Sequence, residues 1–354
     1  MKELLMLGGG YGGMRLLHGL LTDKLPEDVH ITLVDRQPYH GLKTEYYALA
    51  AGTESDSHVR MAFPDHPQLS TKCGDIAKID LPCQAVYLKS GESLTYDNLV
   101  IGLGAVDSYH EIPGAEEYTH SIQTIDRARK AYDALSSTDK NATVSIVGGG
   151  LSGVELAAEL YESRPDLKIR LFDRGKTILS SLPKRISRYV QQWFIDHDVE
   201  IVNEANITKV EPNILYNHNE PVESDEIVWT AGIRPNTLIN ELDVEKDGRG
   251  RVVLTNQHQI PEHNEVFVVG DCASLPHAPS AQLAELQADQ IVDVLRNIWK
   301  NEPLPELSPI KLKGVFGSLG KKHGFGTMAG TPLTGRVPRL LKSGILWMYK
   351  FQNG

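Results

Sequence analysis

The hydrophobic positions of this chain follow two alternating periods. Short unbroken apolar runs read as buried strands, and segments whose apolar residues recur every three or four positions read as helices. ELLMLGGG at the start predicts a strand ending in glycines. Met14 to Leu25 then predicts a helix and HITLVD (30–35) a second strand, which makes a βαβ opening. The same succession returns about 140 residues later. TVSIVGGG begins at Thr143, LSGVELAAELYESR at Leu151 and KIRLFD at Lys168. This is an internal repeat of one supersecondary unit and not a short-period solenoid. QAVYLKS and LTYDNLVIGLG predict a meander closing the first unit, and DEIVWTAGI does the same for the second. NEVFVVGDCA reads as a buried strand ending at Gly270-Asp271, and SAQLAELQADQIVDVLRNIW as a long amphipathic helix. Loops are marked at IPGAEE and NEPLPELSP. The fold class expected is α/β, with two Rossmann-type units and a short amphipathic tail.

Both glycine runs sit where a strand turns into a helix. Gly8, Gly10 and Gly13 form one GxGxxG, and Gly148, Gly150 and Gly153 the other. In such a loop the first glycine makes the turn, the second lets backbone approach a pyrophosphate, and the third brings helix and strand together. The helix N-terminus then faces the phosphates with unpaired N–H groups. Asp35 follows Gly13 by 22 residues and Asp173 follows Gly153 by 20, each ending the next strand, where a carboxylate suits ribose hydroxyls. Two such sites imply two dinucleotides, and hydride transfer from a nicotinamide to a flavin is their simplest joint use. That chemistry needs alignment and no side-chain nucleophile, and the sequence offers neither a Ser-His-Asp set nor a metal-ligand set. Asp173 favours NADH over NADPH because it repels a 2′-phosphate, although Arg174 beside it blunts the preference.

These motifs resemble the two-dinucleotide flavoprotein reductases, and within them the type II NADH dehydrogenases, the single-subunit NADH:quinone oxidoreductases. The likeness runs from Leu4 to about Lys350. It implies FAD on the first loop (Gly8, Gly10, Gly13, Asp35) and NADH on the second (Gly148, Gly150, Gly153, Asp173). Tyr39-His40, Thr44 and Ala51-Gly52-Thr53 look like the family's segment after the first βαβ, which implies FAD contacts for His40 and Thr44. IGLGA, with Gly104, is similar to the ATG-like crossover, and TAGIRPN, with Gly232, to the segment closing the nicotinamide domain. VFVVGDCA resembles the second FAD fingerprint, in which Asp271 meets the ribityl chain. Glu155 stands where the family has a GVE glutamate near nicotinamide and quinone. VFGSLGKKHGFG resembles a late Ser-Leu-Gly segment. Residues 281–287, AQLAELQ, resemble the quinone-site motif AQxAxQQ, which implies FAD and quinone contacts for Ala281, Gln282 and Gln287. Leu286 departs from that motif, and a leucine cannot bond a quinone carbonyl. The implied domains are 1–115 and 250–330 for FAD, with 116–249 for NADH inserted between them and 331–354 as a contact segment.

Cysteine usage separates this chain from neighbouring chemistries. It has three cysteines, Cys73, Cys83 and Cys272, in no paired spacing, and HGLKTEYYALAAG has none. A redox disulfide beside the flavin is excluded, as is the cysteine set of sulfide:quinone reductases. Cys272 reads as a packed thiol.

Charge adds a final feature. The chain has 354 residues and a net charge of −10, which argues against nucleic acid as a partner. Yet 311–354 contains no acid and eight basic residues. Within it, Val337 to Phe351 predicts a helix with Leu340, Leu341, Ile345, Trp347, Met348 and Phe351 on one face. Arg339, Lys342, Ser343 and Lys350 lie largely opposite, with Leu346 intruding. Such a helix suits an anionic membrane surface, and packing on the body or on a homodimer partner is the other use of that face. The chain stops soon after Lys350, earlier than the longer anchor of type II dehydrogenases, so membrane binding is expected to be weak or reversible. No signal-peptide pattern or long apolar run is present, so a cytoplasmic enzyme, peripheral on the inner face of the membrane, is expected. Three functions fit: a menaquinone-type NADH:quinone reductase, a soluble NAD(P)H-dependent flavoprotein reductase with another acceptor, and a non-enzymatic FAD/NADH redox sensor.

Overall fold

The computed structural model describes residues 1–22 and 25–353. Two parallel sheets dominate. The first runs Gln259–Ile260, His263–Val268, Asn98–Ile101, Lys2–Leu7, Val29–Asp35, Leu69–Cys73 across its width, antiparallel only at the first pair. The second runs His120–Ser121, Glu226–Trp229, Thr143–Val147, Lys168–Phe172, Glu200–Val202, all parallel. The apolar runs are continuous because both faces of a parallel sheet are covered. Leu4, Met6 and Val100 pack against helices on one face of the first sheet, and Leu5, Leu7 and Ile101 pack into the core on the other.

Each sheet carries its own three-stranded antiparallel meander, Ile76–Asp80 to Ser93–Thr95 in the first unit and Ile207–Glu211 to Glu220–Glu223 in the second. The repeat thus extends beyond the βαβ opening. The units are joined by a short antiparallel pair, Ala105–Asp107 with Ile233–Pro235, where the chain leaves the first sheet and later returns to it.

Some boundaries differ from those the sequence suggests. The first loop helix spans Tyr11–Thr22, three residues earlier than Met14, and the end expected at Leu25 crosses Asp23 and Lys24, which lie outside the described residues. Gly12 and Gly13 are helical despite glycine's poor propensity, because the third motif glycine must lie within the first turn. The C-terminal unit starts before 331. An antiparallel sheet of Gly314–Leu319, His323–Met328 and Thr331–Gly335 precedes the last helix, Arg336–Asn353. Leu319 and Phe325 of this sheet join the core of the second unit. No helix among the described residues is long and apolar enough to cross a membrane.

Candidate functional site

The two glycine loops are built alike. Gly8 N–H donates to Val34 O and Gly148 N–H to Phe172 O, both at 2.8 Å. Both first glycines have φ in the left-handed region, +100° and +117°. A Cβ on Gly8 would lie 2.3 Å from Gly102 O, and one on Gly148 2.7 Å from the Thr230 carbonyl carbon. The third glycines are equally constrained: a Cβ on Gly13 or Gly153 would lie 2.2 or 1.9 Å from the carbonyl oxygen of Gly8 or Gly148. The middle glycines are different. A Cβ on Gly10 or Gly150 would meet nothing within 4 Å. Protein packing therefore does not require glycine there, and the space in front of each middle glycine is open.

The acids at the strand ends act first on these loops. Asp35 accepts from Gly9 N–H at 2.7 Å and Gln37 N–H at 2.8 Å. Asp173 accepts from Gly149 N–H at 2.9 Å and Gly175 N–H at 2.7 Å. Each carboxylate oxygen keeps a further lone pair for a ribose hydroxyl. Burial raises Asp35 above the ordinary carboxylate value, against those two N–H donors.

His40 is buried, and burial pushes its imidazole down to about 4, so it is neutral at physiological pH. Nδ1 lies 2.8 Å from Gly9 O, which can only accept, so the ring proton is on Nδ1. Nε2 accepts from Tyr349 Oη at 3.0 Å. Both nitrogens bond within the protein, and His40 braces the first loop. In the second unit Leu179 N–H makes the corresponding bond to Gly149 O, at 2.8 Å. Thr44 Oγ1 meets Tyr11 Oη at 2.7 Å beside the loop.

Asp271 lies at the carboxyl end of the central strands, with Lys43 Nζ 3.7 Å from Oδ2. Gly104 takes φ +65°, and its carbonyl accepts from the Cys272 thiol at 3.0 Å. That thiol is buried, which raises it to about 12, as befits a packed group. Gly232 has φ +115° beside His110. Ala281 opens the helix Ala281–Lys300, capped by Ser280 Oγ on Leu283 N–H.

The expected quinone contact of Gln287 does not fit its geometry. The side chain is 0% exposed, Oε1 accepts from Gly270 N–H at 2.9 Å, and Nε2 donates to Val268 O at 2.8 Å. Gln287 holds the turn that presents Asp271. Gln282 Oε1 accepts from Lys313 N–H at 2.8 Å, tying the loop before the C-terminal sheet.

Glu155 is buried and receives three donors at Oε1. They are Ser318 N–H at 2.8 Å, Ser318 Oγ–H at 3.1 Å and the Lys342 ammonium. Lys342 also reaches Tyr47 Oη, lies over that ring at 4.5 Å and sits 3.8 Å from Glu45 Oε1. Burial pulls Lys342 down, but Glu155, Tyr47 and Glu45 more than offset it, so it stays charged. This cluster joins the second loop helix, the helix Tyr46–Ala51, the C-terminal sheet and the last helix. The sequence reading missed Lys342, Glu45 and Ser318 as members. Arg339, Lys342, Leu346 and Tyr349 recur at helical spacing, and that stripe was the available signal for an inward face.

The last helix is turned the opposite way from an ordinary packed amphipathic helix. Its polar stripe faces inward: Lys342 is in the cluster, Arg339 Nε donates to Gly320 O, and Lys350 Nζ donates to His58 O. Its apolar stripe faces solvent, with Leu340 71%, Trp347 66% and Phe351 75% exposed. The bland expectation of an apolar face packed on the body is not met. The expected display of Arg339, Lys342 and Lys350 toward lipid is not met either, because Lys342 is buried in the cluster and the other two bond to backbone carbonyls of the body.

A match to the pyridine nucleotide-disulphide oxidoreductases covers residues 2–288. The chain belongs to that family. Among relatives of this oxidoreductase, "NADH dehydrogenase-like protein YutJ" of Bacillus subtilis (strain 168) is 61% identical over 355 residues, covering 100% of both chains. A type II NADH:quinone oxidoreductase of Staphylococcus saprophyticus is 24% identical over 380 residues, covering 96% of this chain and 93% of its own. In fold, the oxidoreductase is similar to NDH2 from Plasmodium falciparum solved with NADH. There the TM-score is 0.84, at 16% identity over 99% and 96% of the two chains. Despite the family's name, this member's cysteines are all free, and only Cys272 is buried.

Proposed function

We propose that the protein is an FAD-dependent NADH:quinone oxidoreductase that takes a menaquinone-type acceptor at the inner face of the membrane. The observation that carries this reading is the buried Glu155–Ser318–Lys342 cluster, where the last helix closes over the second loop helix. Quinone-reductase names among the relatives support it. The open space at Gly10 and Gly150 supports a dinucleotide on each loop.

The first loop would hold FAD, with Asp35 for its ribose and Asp271 and Thr44 toward the ribityl and ring end. The second loop would hold NADH, with Asp173 for the adenine ribose and Gly232 and Glu155 toward the nicotinamide. The chemistry FAD supplies when bound is acceptance of a hydride and delivery of an electron pair. Each loop aligns its cofactor through backbone N–H groups and helix dipole, and the carboxylate at the strand end fixes the ribose. Overall, NADH + quinone + H⁺ gives NAD⁺ + quinol, so a proton must be taken up. Lys342, kept charged by its carboxylates, presents an N–H toward a developing quinol oxyanion. Glu155, fixed by Ser318, aims that ammonium. The exposed stripe Leu340–Trp347–Phe351 lies on a lipid surface and brings the acceptor to the cluster.

Steady-state NADH consumption under anaerobic conditions, with a menaquinone analogue as sole acceptor, tests the proposal. Saturable turnover is expected. NADH consumption with ferricyanide but none with quinone would favour a reductase serving a non-quinone acceptor. The internal engagement of Gln287 and Gln282 Oε1 is the observation that favours that second reading.

A further inference from the structure

The buried ammonium of Lys342 faces two carboxylates. The side chains of Lys342, Glu45 and Glu155 are 13%, 10% and 8% exposed. With all three ionised this trio would carry a net −1 away from water, offset only in part by Arg339, which favours retention of one proton. The donors are distributed unevenly. Glu155 Oε1 takes the Ser318 N–H, the Ser318 hydroxyl and the ammonium. Glu45 has only long contacts, Lys342 Nζ at 3.8 Å and Tyr47 Oη at 3.4 Å. The short donors thus converge on Glu155, and none reaches Glu45.

We propose that Glu45 is a positioning residue that holds the cluster's exchangeable proton and passes it through Lys342 to the reduced quinone. The inference rests on the quinone-reductase reading. In balance, a Lys342 N–H bond breaks as the quinol O–H bond forms, and Glu45 O–H returns its proton to the same nitrogen. Lys342 is an ammonium before and after, Glu45 ends as a carboxylate, and water reprotonates it. No electrons pass through the relay. Burial pushes Glu45 up to about 7, with Lys342 pulling down and Glu155 pushing up. That places its proton where a general acid works best at neutral pH. The titratable and charged groups facing it are Lys342 and Arg339 of the last helix, Glu155 of the second loop helix, Tyr47 of its own helix and Tyr11 of the first loop helix. Both tyrosines are raised, first by burial, so neither competes for the proton near neutrality.

The test compares wild type, Glu45→Gln and Glu45→Asp, each FAD-loaded, with a menaquinone analogue and with ferricyanide, which accepts electrons without a proton. The wild-type rate with quinone falls as pH rises through about 7, because Glu45 must be protonated. Glu45→Gln lowers the quinone-to-ferricyanide rate ratio about tenfold and removes this limb. Glu45→Asp keeps a displaced limb and serves if the glutamine variant folds poorly. Melting temperature without NADH or quinone gives an independent readout. A carboxyl raised in the folded state loses stability as pH climbs from its unfolded value of about 4.5 through 7. The melting temperature of Glu45→Gln relative to wild type should therefore rise between pH 5 and pH 8. Unchanged pH profiles of turnover and melting in Glu45→Gln would overturn the proposal. Wild-type protein that reduced ferricyanide but not quinone would instead defeat the functional reading, and the melting comparison would still decide where the proton resides.

Discussion

Replacing Gly10 by alanine separates the needs of a bound dinucleotide from those of the fold. In the protein alone the added methyl meets nothing within 4 Å, and Gly10 has no left-handed φ. The folded state therefore accepts it, and a less flexible unfolded chain adds about 0.4–1 kcal/mol of stability. The methyl occupies the space where backbone N–H groups would meet a pyrophosphate. Losing one charge-assisted hydrogen bond costs about 1.5–3 kcal/mol, which weakens flavin about ten- to a hundredfold. Flavin at a hundred times the wild-type Kd stabilises by about 2.7 kcal/mol, and with a hundredfold weaker Kd the same concentration gives about 0.4 kcal/mol. The assay is thermal melting of flavin-free protein with and without added FAD, beside the flavin content as purified. Gly10→Ala should melt at or slightly above the wild-type flavin-free temperature and lose most of the flavin-induced rise. Gly13→Ala, whose Cβ would sit 2.2 Å from Gly8 O, should be destabilised without any ligand, by about 1–3 kcal/mol. A Gly10→Ala protein that purified with full flavin and a wild-type melting shift would show that no phosphate lies against this glycine.

Three further outcomes follow from the same geometry. Asp173→Ala should raise the KM for NADH more than that for NADPH, and equal increases would remove the ribose argument. Gln287→Ala leaves Gly270 N–H and Val268 O without their buried partner and should cost about 1–3 kcal/mol in denaturant unfolding. It should also loosen flavin through Asp271, and unchanged unfolding would show that the amide is not needed. Leu340→Asp with Trp347→Asp should abolish sedimentation with anionic vesicles while ferricyanide turnover persists, and undiminished vesicle binding would locate the lipid contact elsewhere.

What was legible in the sequence was local. Gly8, Gly13, Gly148 and Gly153 are dictated by close approach within a single strand–turn–helix, so motif and geometry coincide. The repeat was visible for the same reason, even though the start of the first helix was hidden by its own glycines. The cluster was not legible, because Glu155 and Lys342 are 187 residues apart and meet only when the C-terminal sheet folds across the second loop helix. The width of the apolar face on the last helix could be read from its spacing, but not the direction in which it points. Lys342, Arg339 and Lys350 read as solvated cations, yet each has a partner on the body, and Lys342 is buried with its own. Gln287 matched a motif by position, and its use depends on Gly270 and Val268, distant backbone groups that no spacing reveals.

In the proposed reaction, electrons from NADH leave through a quinone. A double-mixing experiment addresses it: FAD-loaded protein is reduced anaerobically with one equivalent of NADH and then mixed with a menaquinone analogue, and flavin absorbance is followed. Rapid, single-exponential return of oxidised-flavin absorbance is expected, with a rate that saturates in quinone and covers steady-state turnover. Flavin that stays reduced in the presence of quinone, yet reoxidises at once with ferricyanide, would contradict it.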